Sequence, residues 1–524
     1  MKQKQFWAVI SAVIYIWLQP VTVPPVLCAE PETAARGAGS AAVIDQLEQQ
    51  GVISGAEADE LRRRSRKGDR PETAGAKPSI AVRETLSQGE MDKLTREVTE
   101  RVKQDMKEEI KREIKDESAV SDQTWLERVH ASVPEWTRRI RLNGDARLRY
   151  EGNFFDQNNA DFLKPDDPTE LANTKNDRNR FRYRARLGLT AEINTQVEAG
   201  LRLATGTSDN PVSTNETAGD FFNKDYFLLD QAYLKIRPIP RAPQTALWGG
   251  KFPNPWLATE MVWDGDVVFE GLAVRYDDYV LDWLRPILTV GWFPLQEEEW
   301  YSDKYLAGAQ AAVEFKPKTD LAITLGAACY DYRNVRGEAN DILRPGELDW
   351  TAPQYMQKGN SLMDIDPEPG GITTALAGDY RIIDAVAILH AAVFQPVHVN
   401  LTGNYAENVG FDADEVARRL GEEEWPDETT AYQVALWVGH PRVRNFSEWN
   451  VSFAYRYVEA DAVLDAFTDS DFHLGGTNAK GWLLKTDWGL TKNLWLTIGY
   501  STADEIIGDP LAIDVLQIDL NASF

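Results

Sequence analysis

The sequence predicts an all-β transmembrane barrel of about 16 antiparallel strands, preceded by a short α-helical periplasmic region. Three observations point there. The last stretch alternates Leu516, Ile518, Leu520, Ala522 and Phe524 with Gln517, Asp519, Asn521 and Ser523, the period of a strand with one apolar and one polar face. From residue 138 onward the same alternation keeps returning. Finally, 17 Trp, 18 Tyr and 19 Phe accompany a mean hydropathy of −0.41. A barrel reconciles these values, because only every second strand residue meets lipid and aromatics ring the interfaces. A last strand with this pattern can pair with the first and remove the sheet edge. Leu516, Ile518, Leu520 and Phe524 are its expected closing face.

Composition also excludes. A formal net charge of −26 argues against nucleic acid, which requires a basic footprint. Of the two cysteines, Cys28 sits at the expected signal-cleavage site, so Cys329 stays alone in the mature chain without an intramolecular disulfide. His130, His390, His398, His440 and His473 form no metal-binding pair at helical spacing, and no Gly-x-Ser-x-Gly or Gly-Lys-Ser/Thr run occurs. No enzyme, metal site or cofactor is expected.

In chain order, Lys2 and Lys4 precede an apolar run from Phe6 to Leu18 and then Leu27-Cys28-Ala29, so residues 1–29 read as a signal peptide. Residues 30–90 read as a periplasmic helical hairpin and linker. Val43, Ile44 and Leu47, then Ala58 and Leu61, flank a break at Gly51 to Gly55, and Ser54 with Glu57 can form a capping box. Residues 91–135 read as a helical, coiled-coil segment striped by Met91, Leu94, Val98, Val102, Met106, Ile110 and Ile114. Its four-residue steps drift around the helix, so an oligomerising coiled coil and a solvated spacer both remain open.

Residues 136–524 are the expected barrel. Arg139, Arg141, Asn143, Asp145, Arg147 and Arg149 alternate with Ile140, Leu142, Gly144, Ala146, Leu148 and Tyr150. Next, Arg178, Arg180, Arg182, Arg184 and Arg186 alternate with Asn179, Phe181, Tyr183, Ala185 and Leu187, and Arg202 lies on the polar face of the third strand. A lipid-facing Arg at the bilayer midplane costs about 2–4 kcal/mol, so this arginine ladder must face the lumen. It can pair with Asp145, Glu151, Glu192 and acidic loop residues and hold an inward-folded loop. It can also form a constriction that draws anions, as Arg rings do in anion pores. Both can hold at once.

Short connections near 192–195, 238–244, 316–320, 440–447 and 491–493 alternate with longer ones near 151–177, 207–225, 253–265, 333–370, 407–429 and 458–478. Short turns belong at the periplasmic rim and long loops outside. That parity requires two strands in 371–406, turning near Gln395-Pro396. The acidic runs Glu297–Glu299, Glu422–Glu424 and Asp465, Asp469, Asp471 read mainly as solvated loops that can meet cation-bridged lipopolysaccharide. Asp264-Gly-Asp266 and Asp364-Ile-Asp366 are too short for calcium loops.

Four stretches carry a family likeness: WTRRIRLNGDARLRY at 136–150; RFRYRARLGL at 180–189; GLRLATG at 200–206 through NPVSTN at 210–215 to DQAY at 230–233; and GGKFPNP at 249–255 with Trp263-Asp264. Together they resemble the putative porin family of bacterial outer membranes, over most of the mature chain and best over 136–280. The resemblance implies a barrel pore and no particular solute. The expected function is an outer-membrane porin for passive diffusion of small hydrophilic solutes, favouring anions through the ladder. Expected partners are outer-membrane lipid and lipopolysaccharide, the barrel-assembly machinery, the solutes and a homotrimer. A structural anchor with a plugged barrel and an outer-membrane hydrolase are the alternatives.

Overall fold

A computed structural model describes residues 137, 139–164, 169–239, 242, 244–368 and 370–524. The expected signal peptide, helical hairpin and coiled-coil segment lie outside these residues.

Sixteen strands form the cylinder, and a two-residue strand, Glu216–Thr217, adds to the sheet from within a loop. They are β1 (Ile140–Phe155), β2 (Arg178–Glu192), β3 (Val197–Ala204), β4 (Leu228–Ile236), β5 (Thr245–Pro253), β6 (Val268–Asp277), β7 (Leu284–Gln296) and β8 (Lys304–Lys318). There follow β9 (Leu321–Arg333), β10 (Arg381–Phe394), β11 (Val397–Asn408), β12 (Thr430–Gly439), β13 (Trp449–Val458), β14 (Ala479–Thr491), β15 (Leu494–Glu505) and β16 (Ala512–Ser523). Each pairs antiparallel with its sequence neighbour, and β16 pairs with β1 from Asp145 opposite Ser523 to Phe155 opposite Ile513. The barrel is closed. Parity holds through the middle, where β10 and β11 meet at Gln395-Pro396.

The seam is tight at Gly144. Its backbone exchanges hydrogen bonds with Phe524, N–H to O at 3.2 Å and O from N–H at 3.0 Å. A Cβ there would come within 2.4 Å of the Phe524 ring, so only glycine leaves the aromatic room to lie across β1.

Leu142, Leu148, Phe181, Leu201, Leu272, Val274, Leu325, Leu401, Phe453 and Leu520 are exposed on the strands, an apolar outer face suited to lipid. The inner face departs from the uniformly wet lumen that the alternation implies. Phe252, Phe269, Phe293, Leu306, Tyr330 and Ile382 point inward and pack with Trp256, Met261, Val262 and Trp263 of loop 254–267 and with Ala462, Val463 and Leu464 of loop 459–478. Trp263 lies edge-on to Phe269 (centroids 4.7 Å apart) and to Tyr330 (5.3 Å), the geometry ring quadrupoles favour. The two loops have folded inside and buried this side of the wall.

Outside the cylinder wall, Leu362–Asp364 pairs with Thr374–Leu376, and loop 409–429 carries a helix, α1 (Ala413–Leu420). Asp412 caps α1 by accepting from the Glu415 N–H at 3.0 Å, and Gly421 ends it in the left-handed conformation.

Candidate functional site

The register of β16, β1 and β2 decides how the arginines meet their partners. Arg147 lies opposite Arg184 and Arg149 opposite Arg182, while Glu151 faces Arg180 and Asp145 faces Arg186. On the other side Asp519 lies opposite Arg149. Like charges directly opposite would destabilise the pair, so each must be met from elsewhere. Arg149, 4% exposed, donates from Nε and Nη2 to the Asp519 carboxylate at 2.8 and 3.0 Å, and from Nη1 to Asp471 at 3.0 Å. Arg147 reaches Asp519 only at 3.8 Å. Arg180 donates to Glu151 at 2.8 Å, and Arg182 to the other Glu151 oxygen at 3.2 Å and to Ser213 Oγ at 3.3 Å. Arg184 and Arg186 share Asp145, both at 2.9 Å, and Arg186 also donates to Asp266 at 3.0 Å.

Six guanidiniums, those of Arg147, Arg149, Arg180, Arg182, Arg184 and Arg186, thus meet five carboxylates. Three of the five (Asp145, Glu151 and Asp519) come from the strands, and Asp266 and Asp471 from the two inward loops. One positive charge is left over. Among the described residues, Nε of Arg147, Arg182 and Arg184 is buried without a hydrogen-bond partner.

The other predicted arginines stand apart from this group. Arg139 and Arg141 are exposed at the short-turn rim, Arg139 donating to the Ile193 carbonyl at 3.5 Å and Arg141 lying 3.2 Å from Glu192. Arg178 is exposed at the opposite end of β2. Arg202 pairs with Asp230. Leu516, Ile518, Leu520 and Phe524 belong to the seam rather than to this site, with Ile518, Leu520 and Phe524 exposed.

Sequence reasoning missed what the loops contribute. Asp465 and Asp469, read as solvated, are 2% and 7% exposed, because loop 459–478 runs inside the barrel. Asp469 accepts from Arg456 at 2.7 Å, and the Asp264 carboxylate accepts from the Ser470 N–H at 2.8 Å. Burial and the Asp469 charge push the Asp264 carboxyl up to about 8. The Asp469 charge likewise raises Glu260. Burial also acts on Asp471, but Arg149 outweighs it and holds that carboxyl well below the usual range.

A latch fixes loop 459–478 to its neighbours. Lys358 Nζ donates to the His473 and Gly475 carbonyls, both at 2.6 Å, and lies 3.0 Å from His473 Nδ1, while His473 Nε2 lies 3.0 Å from the Leu511 carbonyl. A neutral imidazole protonated at Nε2 satisfies both contacts. Burial and the Lys358 charge keep that ring well below its ordinary pKa. Elsewhere, hairpin β10–β11 brings His390 and His398 to 3.0 Å, a cross-strand pair that helical spacing could not reveal. Among the described residues no group of three metal-ligating side chains forms.

On the long-loop side a cavity of about 700 Å³ opens between loops 205–227, 254–267, 334–380 and 459–478, lined by Ser213, Asp230, Lys251, Trp263, Asp266 and Tyr355 among others. Asp266 joins it to the arginine group. The arrangement places aromatic edges and paired charges beside solvent space.

A family model described as "Putative porin" matches residues 38–524. No curated protein matches the sequence. Among solved structures the chain is similar to the outer membrane channel DcaP of Acinetobacter baumannii, at 10% identity over 74% of this chain and 98% of that one, with a TM-score of 0.39. It is also similar to OprB of Pseudomonas putida at high pH (10%, 74% and 95%, TM-score 0.44). A third is a loop-L8 deletion mutant of OmpT, an outer membrane protein of Vibrio cholerae (12%, 74% and 100%, TM-score 0.38).

Proposed function

The chain belongs to the putative porin family, and from that premise we propose that its outer-membrane channel passes small hydrophilic solutes by diffusion and favours anions. The observation that carries the reading is the surplus guanidinium on the β1–β2 wall, with three buried Nε–H groups left without partners. Surplus positive charge on a lumen wall favours anions and repels cations. Because five carboxylates already answer six arginines, the preference is moderate, well short of what ten free arginines would impose.

The inward packing of loops 254–267 and 459–478 against the aromatic wall favours a second reading, a plugged barrel that anchors the envelope. Planar-bilayer recording of the purified full chain separates the two. Discrete ohmic steps support the channel, and a silent membrane with folded protein supports the anchor.

The same proposal takes residues 1–29 as a signal peptide, 30–90 as a periplasmic helical hairpin and linker, and 91–135 as a helical, coiled-coil segment. Assembly by the barrel machinery, contact with lipopolysaccharide and a homotrimer belong to it as well. Cross-linking of the full chain and of a form lacking 91–117 tests the last. Trimers that weaken on deletion place the contact in that segment, and unchanged trimers place it on the barrel.

A further inference from the structure

Connection 440–448, between β12 and β13, is a rigid arch rather than a loose turn. The Glu448 carboxylate accepts from the Arg444 and Asn445 N–H groups at 2.7 and 2.9 Å and from Asn445 Nδ2 at 2.8 Å. Ser447 N–H donates to the Gly489 carbonyl at 3.0 Å, and Asn493 N–H to the Arg444 carbonyl at 2.6 Å. Val443 is buried beneath the arch. These bonds fix the backbone at Arg444 and use the nearby Glu448 carboxylate on amides. Both arginines are exposed, and among the described residues neither has a carboxylate within ion-pair distance.

Under the arch lies a second interior cavity, about 390 Å³ in volume, lined by Arg442 and Arg444, by Arg184 and Arg186 from β2, and by Trp495 and Asn521. Two carboxylates also face it. Asp145 is shared by Arg184 and Arg186, and Asp487 accepts a hydrogen bond from Thr497. Four guanidiniums therefore surround two carboxylates. Arg184 is 9% exposed, and its Nε has no partner, an unpaired buried donor on the cavity wall. The cavity beside it holds far more than the roughly 30 Å³ share of one water, room for a small anion against the exposed Arg442 and Arg444.

We propose that this cavity is an anion-binding station for a small, multiply charged oxyanion, such as inorganic phosphate or a dicarboxylate. The planar guanidinium fork matches both kinds of oxygen pair. Arg442 and Arg444 supply the free charge, Arg184 the buried donor, and the Asn521 amide and Trp495 ring the neutral rim. The station is distinct from the contacts to Asp519, Asp471 and Glu151 that fill the upper part of the wall. Its binding does not require the barrel to conduct.

The test is equilibrium dialysis of the detergent-purified full chain at low ionic strength, with labelled inorganic phosphate in one arm and labelled succinate in the other. Saturable binding is expected in at least one arm, and the arm that saturates identifies the ligand source. R442Q/R444Q, altered only at exposed side chains, should bind at least about tenfold more weakly, since it removes two charge-assisted contacts. Arg141→Gln, at the far rim of β1, should bind as the unaltered chain does. Heat-modifiable migration on a gel verifies folding of each variant. No saturation in either arm, or equal affinity in the double variant, overturns the station. Binding without bilayer conductance would leave the station standing and sink the channel reading instead.

Discussion

The inner faces of β16, β1 and β2 and of β5 to β9 meet the same two loops, 254–267 and 459–478, yet hold them by different forces. On the first side Asp266 reaches Arg186 and Asp471 reaches Arg149, on strands whose register sets Arg147 opposite Arg184 and Arg149 opposite Arg182. On the second, Trp256 and Trp263 lie among Phe269, Phe293 and Tyr330. Charge pairing is directional and leaves a costly orphan when one member goes. Ring packing scales with area and ignores salt. Under the proposed function selectivity falls to the first wall and loop retention largely to the second, and loop 254–267 links them through Trp263 and Asp266.

Two substitutions of large effect probe that division. Trp263→Ala should cost about 3–5 kcal/mol of thermal stability in the folded barrel and enlarge the conductance step, equally at low and high salt. Arg149→Ala leaves Asp519 and Asp471 without their chief cation and should cost a similar 3–5 kcal/mol or so, but its effect on conductance should shrink as KCl rises from about 0.1 to about 1 M. Identical salt responses in the two variants would break the comparison.

A middle-sized effect follows from acidity. Asp264 sits at about 8 and Asp465 at about 6, the latter through burial, and Glu260 is raised as well. Each holds its proton more tightly folded than unfolded. The stability they confer on the loops is full in acid below the ordinary carboxylate range and is lost as pH climbs toward about 8. Asp471 has the opposite sign, its contribution being lost only in strong acid. Channel noise and protease nicking of loop 459–478 should therefore increase between about pH 5 and about pH 8, and Asp264→Asn should flatten that rise. A profile unchanged in the variant would move the effect to another group.

The smallest effect sharpens the boundary of the basic wall. Arg141 is exposed and pairs only with Glu192 and Glu198 at the rim. Arg141→Gln should shift stability by less than about 1 kcal/mol and leave ion preference unchanged in a bilayer.

Alternation exposed the cylinder well, since a strand with one lipid face and one wet face writes its register into the residues. The arginine rows of β1 and β2 came from that signal, and the alternation of short and long connections supplied the parity that split 371–406. It weakened over β6, where Phe269 and Ala273 face inward as Leu272 and Val274 face outward. Two apolar faces leave no period to read. The loops were hidden for a different reason. Asp471 meets Arg149 across 322 residues of chain, and no local pattern encodes such a contact. Helix α1 was readable, since Asp412 three residues before Glu415 with Gly421 beyond is a cap at each end, but it lay in a segment taken whole as loop.

The basic wall as the seat of ion choice is tested most directly by reversal potential. The full chain should be recorded across a KCl gradient, beside a variant with Arg180, Arg182 and Arg184 all changed to Gln. The unaltered barrel should reverse on the anion side of zero. The variant, left with three guanidiniums of the wall's six against five carboxylates, should reverse on the cation side. The same potential for both would contradict the account.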